Sequence, residues 1–223
     1  MTFRLSPEQE AVRDAVREFG ESEIRPVASE YEAEERYPEE LRRTAAEYDF
    51  VAPHVPEEYG GAGMDAISTL IVTEELWRAD PGVGGAIAAA DFGTGMIHDY
   101  GEEWMREEWL PRITGGETPI ATGISEPAHG SNVAGMETRA ERDGDEWVID
   151  GEKMWITNGT VADVAIVMAK TDPEAGHRGI TAFLTETDVP GYDASRIDNK
   201  LGIRAQDTAE IHLDGRRVPA GNV

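Results

Sequence analysis

A chain of 223 residues, 39% of them hydrophobic and spread along its length, is long enough for one or two domains with a real core. It contains no cysteine, which rules out disulfides, a thiolate nucleophile and a cysteine-ligated metal. A net charge of −25 argues against nucleic acid as a partner, because phosphate contacts need a basic patch.

Lysine occurs only at positions 153, 170 and 200, and acidic clusters such as EYEAEE and GEEWMREEW fall inside helical patterns. That is the signature of a solvated acidic surface, of the kind that suits a halophile's cytoplasm; an acidic mesophile protein is the alternative. No run of about 18 apolar residues occurs, so no membrane span is expected. The opening MTFRLSPEQEAV lacks an apolar signal core. Together with the missing cysteine, this favours a cytoplasmic location.

The first half reads as helices. Ser6-Pro7-Glu8-Gln9 is a capping box with proline at the first helical position. Val12, Ala15, Val16 and Phe19 follow at helical spacing. A second amphipathic run over 38–48 places Leu41, Ala45 and Tyr48 on one face. A Gly-rich loop spans 55–65, and Asp65 can cap a helix carrying Ile67, Leu70, Ile71 and Leu76. The Gly/Ala-rich stretch 83–97 reads as a buried helix, and 102–113 as one more, with Trp104, Met105, Trp109 and Leu110.

Near residue 118 the period changes from helical to alternating. Asp-Gly pairs at 143–144, 150–151 and 214–215 follow or join β-like runs, as in hairpins with type I′ turns. The expected strands are 136–142, 146–149, 152–157, 164–170, 180–186, 192–196 and 208–213. The fold class expected is α+β and multidomain: an all-α domain over 1–117, then a small antiparallel β-barrel over 118–223.

Gly60-Gly61-Ala62-Gly63 lacks the preceding strand and the spacing of a dinucleotide loop. The five histidines are far apart and make no metal-ligand pattern. Asn158-Gly159-Thr160 fits a glycosylation sequon without a secretory signal to support it. The stretch TGISEPAHGSN, 122–132, runs from a strand into a loop whose amides, hydroxyls and Gly130 suit an anion such as a pyrophosphate. Read alone, it fits an ordinary strand-ending turn better. In KMWITNGT, 153–160, strand alternation puts Trp155 and Thr157 on one face. A flat apolar plane beside a hydroxyl suits a flat, polar-edged ring, and it suits a barrel core as well.

SEPAHGS followed about two dozen residues later by KMWITNG resembles the acyl-CoA dehydrogenase flavoproteins. So do PEEYGGAGMD, EEWLPRITGGE and KLGIRAQDTAEIHLDGRRVP, in the family's order from about residue 5 to Val223. The resemblance implies a helical domain, then a β-barrel, with FAD as cofactor. It implies that Thr122, Ile124, Ser125, Gly130 and Ser131 line the flavin, with Ser125 at its pyrimidine end. Ser131 would lie near the pyrophosphate and the acyl-CoA. Trp155 would lie against the isoalloxazine, Thr157 would hydrogen-bond near N5, and Ile156 between them would belong to the same cofactor-binding stretch. This chain departs from the family pattern at Ser125 (usually Thr), His129 (usually a small residue) and Asn132 (usually Asp). His129 enlarges the turn and could contact phosphate or substrate.

The implied activity is α,β-dehydrogenation of an acyl-CoA to the trans-2-enoyl thioester: a carboxylate takes the α-proton and the β-hydrogen leaves as hydride to the flavin. Electron-transfer flavoprotein is the implied electron acceptor, and a homo-oligomer the implied assembly. The family's catalytic glutamate lies in a second helical domain, expected beyond Val223, so no catalytic base is assigned within the chain and the chain alone is expected to be inactive. Glu126 is not assigned that role. The alternatives are a relative with other chemistry (a decarboxylating dehydrogenase, an oxidase or a flavin monooxygenase) or a non-catalytic flavin- and acyl-CoA-binding module completed by another chain.

Overall fold

A computed structural model describes residues 4–223. Helix α1 (Pro7–Phe19) starts at the expected capping box: the Ser6 hydroxyl accepts the Gln9 amide, and the Gln9 side chain accepts the Ser6 amide. A wide π turn over Gly20–Ile24 leads to α2 (Ala28–Glu34) and α3 (Glu39–Glu47). Helix α4 (Ala66–Ala79) is capped by Asp65, whose carboxylate accepts the Ser68 amide at 2.7 Å. Helix α7 (Glu103–Thr114) closes the helical half.

The stretch 83–97 departs from the single helix expected of it. It divides into α5 (Val83–Ala88), a short 3-10 turn over Ala89–Asp91, and α6 (Thr94–Tyr100). The break is at Gly93, with φ 154°, where a Cβ would sit 2.8 Å from the Thr122 hydroxyl. Only glycine allows both that backbone and that approach. The Thr122 hydroxyl donates to the Phe92 carbonyl and ties the break to the sheet.

The sheet holds β1 (Ile120–Gly123), β2 (Arg139–Asp143), β3 (Glu146–Thr157), β4 (Val164–Lys170), β5 (Ile180–Glu186), β6 (Tyr192–Arg196) and β7 (Thr208–Pro219). Its order is β1-β4-β2-β3-β7-β6, with β5 on β4. It curls into a half-barrel after the helical half, as expected. Two pairings depart from a purely antiparallel sheet: β1 and β2 each run parallel to β4. Strand β4 is buried on both faces. Val164 and Ile166 join the helical core with Ile87, Leu110 and Ile113, while Ala165 and Val167 join a second core with Ile149, Ile156, Phe183 and Ile211.

Of the three Asp-Gly pairs, only Asp143-Gly144 makes a hairpin turn. Asp143 pairs with Glu146, and Gly144 alone of the two loop residues has positive φ, as in a II′ rather than a I′ turn. Asp150-Gly151 and Asp214-Gly215 lie inside the long strands β3 and β7, so the strands expected at 146–149 and 152–157 are one. Opposite Asp150, β7 carries an extra residue, a β-bulge, and the Asp150 carboxylate accepts the Gly215 amide at 2.7 Å.

Candidate functional site

Further along, β3 bulges the other way. Lys153 pairs with Ile211 and Ile156 with Ala209, so Met154 and Trp155 together oppose Glu210. The extra residue is absorbed at Trp155, which takes a left-handed backbone with φ 65°. A bulky residue there costs about 1–3 kcal/mol, and such strain clusters where a side chain must be presented. Trp155 is 62% exposed. It is thus not a core residue, and its presentation comes from a bulge rather than from regular alternation. Ile156 turns inward into the second core, so its side chain does not share the face of Trp155; only its backbone lies there. Thr157 is half-buried and pairs with Thr208.

The loop after β1 runs beside this bulge. The Ser125 carbonyl accepts the Met154 amide at 2.9 Å, and the Ile124 carbonyl accepts Lys153 Nζ at 3.4 Å. Glu126 and His129 exchange backbone hydrogen bonds and close the turn through Pro127 and Ala128. Gly130 and Ser131 sit exposed at its far end. The Ser125 and Ser131 hydroxyls make no hydrogen bond among the described residues, which leaves them available. The loop's start and the bulge are therefore brought together, while Gly130 and Ser131 are joined to Trp155 or Thr157 by no hydrogen bond among the described residues.

Thr122 and Ile124 also line a cleft of about 340 Å³ with Phe92, Gly93, Gly95, Met96, Asp99 and Tyr100. Phe92 and Tyr100 are both exposed. Sequence reasoning missed these helical residues, because 83–97 read as one buried helix and the break at Gly93 is what opens the cleft. A more apolar recess between Met105, Ile166 and Leu184 contains none of the sequence-predicted residues.

Beneath the loop, the Glu126 carboxylate is sealed off. It is 6% exposed and accepts Lys153 Nζ at 2.8 Å, the Thr138 amide at 2.9 Å and the Glu137 amide. Burial pushes this carboxyl up, but the donors together outweigh it and hold it down at about 2. Lys153, 0% exposed, has two acceptors; burial lowers it, with Glu126 only partly offsetting the loss. A carboxylate this strongly held is a poor proton acceptor. Lys153 is a central residue that alternation did not single out. Its signal was rarity: it is one of three lysines in the chain.

His129 is half-buried, with Nε2 3.7 Å from Glu137, and Asn132 is exposed in the same loop. Among the described residues no cluster of His, Asp and Glu could hold a metal, and no helix is long and apolar enough to cross a membrane.

Residues 6–117 match the family model for the N-terminal domain of acyl-CoA dehydrogenases, and residues 121–215 match that for the middle domain. The chain belongs to the acyl-CoA dehydrogenase family. It is 38% identical over 225 residues to the short-chain-specific acyl-CoA dehydrogenase of Clostridium acetobutylicum, covering 100% of this chain and 59% of that protein. The structure of a glutaryl-coenzyme A dehydrogenase–glutaryl-CoA complex superimposes with a TM-score of 0.94 at 37% identity, over 100% of this chain and 57% of that one. A glutaryl-CoA dehydrogenase from Mycobacterium smegmatis in complex with FADH2 gives a TM-score of 0.91 at 37% identity, over 98% of this chain and 55% of that one. The chain thus spans a little over half the length of these relatives.

Proposed function

We propose that the full-length protein is an FAD-dependent acyl-CoA dehydrogenase, and that residues 122–131 and 155–157 form part of its flavin site. The observation that carries this reading is Trp155, a large aromatic side chain strained at φ 65° and 62% exposed; the resemblance to the family is what implies that it faces the flavin. Exposing an indole and straining its backbone both cost free energy, and a flat ring stacked on the indole recovers part of it.

The residues present fit such a ring. Trp155 would pack one face, the Thr157 hydroxyl would serve its polar edge, and Thr122, Ile124 and Ser125 would line the side where β1 ends. Gly130 and Ser131 lie where backbone amides and a free hydroxyl can hold phosphate, and Ser131 can serve the acyl-CoA as well. Bound flavin would supply the hydride acceptor; the chain's contribution is to orient it and exclude water from one face. Glu126 is not the base, being fixed by its three donors. We place the base outside these 223 residues, in keeping with the greater length of the relatives. The helical unit over 1–117 and the sheet unit over 118–223, an electron-transfer flavoprotein partner, homo-oligomerisation and a cytoplasmic, salt-adapted setting complete the proposal.

The test is anaerobic titration of the purified full-length protein with FAD and then with acyl-CoAs of several lengths. Flavin uptake followed by bleaching supports dehydrogenation. No flavin uptake overturns it, and rapid re-oxidation by oxygen points to an oxidase instead.

A further inference from the structure

The Glu126–Lys153 pair is the most deeply buried ion pair among the described residues, with side chains 4% and 0% exposed. Burying two charges is a poor way to gain stability, because the lost hydration offsets most of their attraction. A chain with three lysines has put one of them here, which calls for a reason other than stability.

Geometry supplies one. Lys153 Nζ reaches the Ile124 carbonyl and the Glu126 carboxylate together. The same carboxylate takes the amides of Glu137 and Thr138 at the entry to β2. The Met154 amide, next to Lys153, binds the Ser125 carbonyl. The lysine stem passes under Gly123, where a Cβ would stand 3.2 Å from Lys153 Cγ. Three separate segments, 124–126, 137–138 and 153–154, therefore converge on one ion pair. The bulge that carries Trp155 begins at the very next residues. A compact ammonium with three donors suits such a convergent point better than the wide planar fork of arginine.

We propose that Glu126 and Lys153 are positioning residues, which lock the loop after β1 to the β3 bulge and so set the spacing between Ile124–Ser125 and Trp155. This rests on the flavin reading above for its purpose, but not for its geometry. The pair touches no proposed ligand atom; it acts through the residues on either side of it. Preorganising those two walls removes an ordering cost from binding.

The test uses Lys153→Met and the double variant Glu126→Gln/Lys153→Met. The single change strands a buried carboxylate and is the one at risk of failing to fold; the double change removes both charges and is the decisive protein. Two readouts are taken: hydrogen exchange at the amides of Glu137, Thr138 and Met154, and the dissociation constant of added FAD. We expect the double variant to keep the protection of β4 and β5, to lose about tenfold or more at the three amides, and to bind FAD about tenfold more weakly. Unchanged protection at those amides overturns the lock. Lost protection with unchanged FAD affinity overturns the positioning role and leaves the pair purely structural. A wild-type protein that takes up no flavin overturns the flavin reading alone, and the amide protection still decides the lock.

Discussion

Asn158 joins the two halves of the molecule to each other: its side-chain amide donates to the Ala89 carbonyl at 2.9 Å and to the Ile120 carbonyl at 3.0 Å. One acceptor lies in the helical half, in the turn before the Gly93 break, and the other starts β1. Asn158 is 0% exposed and left-handed, with φ 64°. Asparagine tolerates that backbone better than most residues.

Asn158→Ala should therefore cost about 2–4 kcal/mol, from two buried acceptors left without a donor plus backbone strain. Asn158→Gly relieves the strain alone and should recover about 1 kcal/mol of it. Urea midpoints of the three proteins check this. Equal stability of wild type and Asn158→Ala would show that the two contacts are not what holds the halves.

Much of this architecture was legible in the sequence. The Ser6 and Asp65 caps, the helical period of 102–113 and the strands at 164–170, 180–186 and 192–196 all follow from local pattern, and the fold keeps them, the helix shifted by one residue to Glu103–Thr114. What was not legible depends on single inserted residues. Under strict alternation Lys153, Trp155 and Thr157 share one face. One extra residue between Lys153 and Ile156 turns Lys153 inward with Ile156 and leaves Trp155 outside. The same event on β7 conceals two Asp-Gly pairs inside continuous strands. Gly93 shows the converse: a glycine in a helical pattern reads as tolerated until the partner it approaches, Thr122, is known. The candidate site residues were picked out by a distinctive motif, but the pair that ties their two stretches together was not, because its members are 27 positions apart.

Acid should act on this pair in a definite direction. Glu126 is held at about 2, below its ordinary 4.5. A depressed carboxyl stabilises the fold fully above the unfolded-state value, and that contribution is lost as pH falls through the folded one. The stability gap between wild type and Glu126→Gln should be constant from neutrality down to about pH 5 and then close toward pH 2. Denaturant curves of both proteins across that range test it. A gap that does not narrow in acid would mean that Glu126 is not ionised in the fold.

Trp155 separates stability from binding. Being exposed and strained, it contributes little to folding, so Trp155→Ala should change stability by no more than about 0.5 kcal/mol. Trp155→Gly should be at least as stable, because glycine accepts φ 65°. Both should weaken FAD binding about tenfold or more through the lost stacking surface. Melting temperature and flavin titration on the same samples make the comparison. A large stability loss with unchanged flavin affinity would return Trp155 to an ordinary packing role.

Salt poses a contest between two electrostatic terms. Exposed pairs such as Arg36–Glu30 and Arg217–Asp143 weaken as salt rises, but each contributes only about 0–1 kcal/mol. Against them stands the self-repulsion of 45 acidic residues facing 20 basic ones. At 0.01 M salt the screening length is about 30 Å, comparable to the molecule, so most acidic pairs repel across the surface. At 1 M it is about 3 Å, and only contacting charges still interact. The repulsive pairs far outnumber the contacting ones, so repulsion should win and the melting temperature should rise steadily with KCl. The buried Glu126–Lys153 pair is shielded from bulk ions and should be insensitive by comparison, so its double variant should show the same salt slope as wild type. A melting temperature that is flat or falls between 0.01 and 1 M KCl would show that the surface ion pairs outweigh the net charge, and would remove the case for adaptation to high salt.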